Sequence, residues 1–173
     1  SWSPTDSPAA FLTAIQQIAS RYAGFNLLVS DGESLACYHQ REDAIIPVPS
    51  GIHALSNHSL NEPWPKVERA KSLMGEAIGT FSAQTPRQSL SLDSLTEVLS
   101  DTSRPADDAL PNTGVGLEWE RVLSPILIAG QTYGTRSSSL LSMHRNGTVS
   151  LIEHTRDERG ASTSTIALEF TRQ

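Results

Sequence analysis

An α+β fold in a single domain, residues 1–173, is what this sequence predicts. Apolar periodicity runs helix, strands, helices, strands along the chain, which favours segregated layers over alternating βαβ units. Two strong turn signals, Asp31-Gly32 and Asn146-Gly147, each sit between strand-like runs and point to antiparallel hairpins. At 173 residues the chain is long enough for one domain with a real core and close to the commonest domain size.

Ser7 and Pro8 form an N-cap and first-turn pair, after which Phe11, Leu12, Ile15, Ile18, Ala19 and Tyr22 recur at helical spacing, so residues 8–22 are expected to be an amphipathic helix. Gly24 ends it. Residues 25–29 read as a buried strand that turns at Asp31-Gly32 and returns over residues 35–39. Residues 44–48 and 52–56 are two more short strand candidates, parted by Pro49-Ser50-Gly51. Past Pro63, Pro65 occupies a first-turn position, and Val67, Ala70, Met74, Ala77 and Ile78 give a helical stripe over 64–78.

A shorter helix is expected at 91–100, where Leu92, Leu95, Val98 and Leu99 share a face. Residues 101–116 lack periodicity and read as a long surface loop. The β pattern then resumes from Val122, with strands at 126–128, 132–144, 148–156 and 163–170. No internal repeat is visible at solenoid or propeller periods.

Composition narrows the function classes. A net charge of −6, with 13 basic residues scattered along the chain, leaves no basic patch to neutralise a phosphate backbone, so nucleic acid is excluded as a partner. Apolar runs such as 126–130 and 138–143 are far too short to span a bilayer. The opening Ser-Trp-Ser-Pro-Thr-Asp-Ser-Pro is polar, unlike a secretory leader, and the single Cys37 builds no disulfide framework. Cytoplasm is the expected compartment.

Four segments, in order, look like the blocks of one family. They are 22–31 (Tyr-Ala-Gly-Phe-Asn-Leu-Leu-Val-Ser-Asp), 55–67 with its Leu-Ser-Asn and Pro-Trp-Pro-Lys, 110–115 (Leu-Pro-Asn-Thr-Gly-Val), and 133–141, which opens on Tyr-Gly-Thr-Arg. The chain thereby resembles the Asn-Arg-Asp-Glu (NRDE) family, of the transport and Golgi organisation protein 2 type, in its C-terminal portion. The N-terminal Cys block and naming motif of that family have no counterpart in residues 1–173; Asp157-Glu158-Arg159 stands at the wrong end. That N-terminal segment is therefore the expected intramolecular partner.

The resemblance implies a four-layer αββα sandwich of the N-terminal nucleophile hydrolase type, here lacking its first strands. It further implies a small-molecule or lipid-like ligand, large, apolar and anionic, such as heme or an acyl-CoA, bound or trafficked with no obligatory cofactor. Two alternatives accompany it: an N-terminal nucleophile amide hydrolase whose catalytic Cys lies outside this chain, and a fragment without function of its own. In the hydrolase reading Asn57 matches an oxyanion-site asparagine and Arg136 an arginine supporting the nucleophile's pocket. Ser56, His58, Trp64 and Tyr133 are the ligand-binding candidates that the same blocks suggest.

Each candidate has a plain structural counterpart. Asn57 suits a strand end bonding its own backbone, Arg136 a sheet-face arginine paired with a carboxylate, and Trp64 a packing anchor at a helix start. Cys37 and His39 fall on one face of a strand with no third group beside them, which fits a packed thiol rather than a nucleophile. Ser1 leads into a helix, unlike a strand-borne N-terminal nucleophile. The five histidines show no metal-ligand spacing, and His53 and His58 are the first candidates to ligate heme. Oligomeric state is not legible.

Overall fold

The computed structural model describes residues 7–84 and 92–171, with side chains at 7–79 and 94–171. The fold is α+β, with two three-stranded antiparallel sheets and a few helices. The chain divides into two compact units, 1–62 and 63–173. The expected helix start at residue 91 and the candidate nucleophile Ser1 lie outside the described residues.

In the first unit, helix α1 (Pro8–Gln16) starts as the sequence predicts, with the Ser7 hydroxyl accepting from the Ala10 N–H at 3.2 Å and Pro8 in the first turn. It ends six residues before Tyr22. The chain tightens into a 3₁₀ turn at Ala19–Arg21, which buries Ala19 and leaves Ile18 and Tyr22 exposed. The helical spacing of those apolar residues thus marked a turn onto the core rather than more helix.

Sheet A is an antiparallel meander of β1 (Asn26–Ser30), β2 (Leu35–His39) and β3 (Ala44–Pro47). At its first turn Asp31 Oδ1 accepts from the Glu33 and Ser34 N–H groups at 2.9 and 2.7 Å. The Ser34 and Glu33 amides also hold the Asp31 carboxyl below the usual range. The register pairs Leu27 with Tyr38 and Val29 with Ala36, so these four share a face. Leu12 and Ala19 close on that face, with Phe11, Ile15, Phe25 and Ile45 around them. The opposite face carries Asn26 against His39 and Leu28 against Cys37.

Residues 52–56 are not the expected fourth strand. Their backbone is committed to a closed loop in which Asn61 N–H donates to Ala54 O at 2.8 Å while the Asn61 side chain accepts from Ala54 N–H at 3.1 Å. Asn61 takes a positive φ of 60° to close it.

The second unit opens on α2 (Pro65–Gln84), longer than the predicted 64–78, with the Trp64 carbonyl accepting from Val67 and Glu68 N–H. After α3 (Leu92–Val98) and a largely irregular stretch comes α4 (Leu117–Leu123), which periodicity missed. It is seven residues long, follows Gly116 at φ 87°, has no side-chain cap, and exposes Leu117 and Trp119 rather than an orderly stripe.

Residues 126–128 and 132–136, read as strand from their β-branched content, make no ladder. Leu127 N–H donates to Asp101 O and Ile128 N–H to the Thr135 hydroxyl, while Thr135 N–H returns to Ile128 O. The turn between them requires glycine, since a Cβ on Gly130 would sit 2.5 Å from the Tyr133 carbonyl oxygen and one on Gly134 2.8 Å from that of Ile128. Sheet B follows as β4 (Ser137–Met143), β5 (Thr148–Arg156) and β6 (Ser162–Thr171), again an antiparallel meander. Its first hairpin turns at Asn146-Gly147 as predicted, with Gly147 at φ 87°.

Candidate functional site

A cavity of about 470 Å³ lies wholly within the first unit. Its floor is the open end of sheet A, where Asn26, Phe25 and Gly24 meet His39. Arg41 and Glu42 stand beside them, and Leu55, Ser56, Asn57, His58 and Ser59 close the other side.

This arrangement follows from the hairpin. A two-strand register with residues 30 and 35 opposed puts Asn26 directly across from His39, on the face away from α1. The two side chains bond at 3.0 Å, Asn26 Oδ1 to His39 Nδ1. The Asn26 amide donates to the carbonyl oxygens of His58 at 2.9 Å and Ser56 at 3.4 Å. On the far side of the ring, His39 Nε2 accepts the Leu60 N–H at 3.2 Å. A segment with no strand or helix of its own is thereby tied to the sheet by side chains from two neighbouring strands.

Around the rim, the Ser59 hydroxyl bonds Glu42 and lies 3.3 Å from His58 Nδ1, and His58 pairs with Glu62 at 3.4 Å. The Arg41 side chain has no ion-pair or hydrogen-bond partner among the described residues. Two residues before His39 on β2, Cys37 is fully buried, and burial pushes its thiol pKa up, so the thiolate needed for nucleophilic chemistry is disfavoured. No group of three or more His, Cys, Asp or Glu side chains fit to hold a metal occurs among the described residues.

Three predicted site residues, Ser56, Asn57 and His58, therefore line one cavity. Trp64, Tyr133 and Arg136 belong to the second unit. There Trp64 supplies the first carbonyl of α2, Tyr133 stands half exposed with its ring edge-on to Trp119 at 5.8 Å, and Arg136 is exposed just ahead of β4. Asn26, His39, Arg41 and Glu42 were missed as site residues. A usable signal was present for the first two: polar residues at opposed ends of an otherwise apolar hairpin need each other.

The family model described as Transport and Golgi organisation 2 matches residues 2–158. The chain belongs to that family. Among its relatives are the mouse Transport and Golgi organization 2 homolog, 28% identical over 95% of this chain, and the human homolog, 27% identical over 95%. The bovine homolog is 26% identical over 83%. The matched region covers 62% of the mouse and human proteins and 55% of the bovine one, so the chain spans about three-fifths of the length of these curated relatives.

In the second unit, segment 110–115 is held by a buried carboxylate. Glu120 on α4 is almost fully buried and accepts from both the N–H and the hydroxyl of Thr113 at 2.7 Å. Lys66, the last residue of the Pro-Trp-Pro-Lys run, donates to Leu123 O at 3.0 Å. Burial lowers its ammonium pKa, and the Glu120 charge opposes that shift. These contacts fix Thr113 against α4 within the second unit. Among the described residues no helix is long and apolar enough to cross a membrane.

Proposed function

We propose that the first unit binds a large, partly apolar ligand bearing an anionic group, of the heme or acyl-CoA kind, with that group held in the cavity between β2 and residues 55–59. One observation carries this: an arginine without a partner among the described residues, Arg41, stands at a cavity that also presents the Asn57 and His58 side chains. A cation with no internal carboxylate is open to an anion from outside. The volume of about 470 Å³ falls within the range of small-molecule sites and fits a head group better than a whole acyl-CoA. Phe25 and Leu55 offer apolar contact, and Glu42 disfavours a second negative charge on its side.

Trafficking of such a ligand accords with the names of the mouse, bovine and human relatives, which refer to transport and Golgi organisation. The four-layer sandwich of the N-terminal nucleophile hydrolase type belongs to the same reading, supported by two antiparallel sheets together with helices.

The test is a titration of the 173-residue chain with hemin and, separately, with a long-chain acyl-CoA, followed by absorbance and tryptophan emission. Saturable binding at micromolar ligand is expected, weakened roughly tenfold by Arg41→Ala, the loss of one charge-assisted contact. No saturation with either ligand, or an Arg41→Ala variant that binds like the parent, overturns the proposal.

A further inference from the structure

The loop side of the cavity, residues 56–60, has no regular structure, yet its backbone is tied down at three points by only two side chains. Those ties determine the proton on His39. The Asn26 amide nitrogen faces two carbonyl oxygens, so its Oδ1 must be the atom turned to the imidazole, and Oδ1 can only accept. His39 Nδ1 must therefore carry the hydrogen. The Leu60 N–H can only donate, so Nε2 must present a lone pair. Both ends of the ring independently demand the same neutral tautomer, in a side chain that is 2% exposed.

We propose that Asn26 and His39 are the positioning pair of the cavity: a buried relay, with His39 locked as the neutral Nδ1–H form, that fixes residues 56–60 and so sets where Asn57 and His58 meet a ligand. This rests on the reading of the cavity as the binding site, and it assigns that site its means of regulation. A second proton on His39 sets Nε2–H against the Leu60 N–H, two donors face to face, and releases the loop. The charged or titratable groups sharing the cavity are Arg41, Glu42 and His58, with Glu42 bonded to Ser59 and His58 paired with Glu62.

The experiment uses the ligand-free chain of 173 residues with ¹⁵N-labelled histidine. Long-range ¹H–¹⁵N spectra at neutral pH are expected to show His39 protonated at Nδ1; a ring protonated at Nε2 overturns the proposal, and this measurement needs no variant. Amide exchange of Leu60 is then compared among His39→Gln, which keeps an acceptor near the Nε2 position, His39→Asn, which keeps only the arm toward Asn26, and His39→Leu, which keeps neither. Gln is expected to retain most of the protection, whereas Asn and Leu should each exchange roughly tenfold faster.

Asn26→Asp turns an anionic oxygen toward the Ser56 and His58 carbonyls and should free the loop while leaving the His39 tautomer in place. With the acid slowing of intrinsic amide exchange divided out, acidification should lower Leu60 protection in the parent, and equally in His58→Gln, but not in His39→Gln. Equal protection in all the His39 variants, or the same acid response in parent and His39→Gln, overturns the proposal. Both readouts are taken without ligand, so a chain that took up no hemin would count against the binding reading while these measurements alone decide the relay.

Discussion

Sheet A and sheet B are built alike, three antiparallel strands in sequential order, yet they differ sharply in what covers them. Four of the five residues of β2 are buried, with α1 laid on one face and the Asn26–His39 relay on the other. All ten residues of β6 are exposed, and on its apolar face Leu168 and Phe170 each keep 56% of their surface open, beside Ile166, Leu141 and Met143. The opposite face of sheet B is anchored by polar contacts: Arg156, itself buried, donates to Ser138 Oγ at 3.2 Å, Gly160 O at 3.1 Å and Ser100 Oγ at 3.0 Å. Strand alternation therefore tells which side chains share a face, while stability depends on whether another element reaches that face.

The largest expected effect tests the covered sheet. Leu12→Ala, at a position with no exposed surface, should cost about 2–5 kcal/mol in denaturant unfolding through lost burial and the cavity left behind. Arg156→Ala comes next at roughly 2–3 kcal/mol, because it strands three buried or half-buried acceptors that the guanidinium now satisfies. A near-neutral result there would mean that sheet B does not depend on its polar anchor.

Asp101 gives a smaller, pH-dependent effect. Burial alone would raise its carboxyl pKa, but hydrogen bonds from Arg69 at 2.8 Å and from Ser103 N–H outweigh it and hold the group below the usual range. A depressed folded-state pKa contributes stability that is whole above the unfolded value of about 3.9 and is lost as pH falls through the folded one. Since Arg69 is half exposed, solvent screening limits the pair to about 1 kcal/mol or less. Asp101→Asn should flatten the acid limb of a stability-versus-pH curve by that amount.

Smallest of all, Leu168→Ala on β6 should stay within about 0.5 kcal/mol of the parent. If it cost as much as Leu12→Ala, the contrast between the sheets would collapse.

Much of the fold was legible. The Ser7-Pro8 start, both Gly-containing hairpins and the span of β5 follow from local chemistry, namely a hydroxyl that caps, a ring that suits a first turn, and turn residues that tolerate positive φ. Residues 52–56 and 126–128 failed for one reason. Apolar content made them resemble strands, but their backbone groups found partners in Asn61, Asp101 and Thr135 rather than in a ladder. Ser56, Asn57 and His58 were reachable through the family blocks. Arg41 and Glu42 were not, because an exposed charge following a strand carries no local mark of the cavity beside it.

The sequence by itself determined the α+β class, the hairpin turns and kinship with the Transport and Golgi organisation 2 family, since each depends on residues within a few positions or within a short block. Tertiary structure alone decided which faces are covered, and which proton His39 must carry. Those depend on atoms distant in sequence meeting at hydrogen-bonding distance, as Leu60 N–H meets the His39 ring 21 residues away, and only the folded chain brings them together.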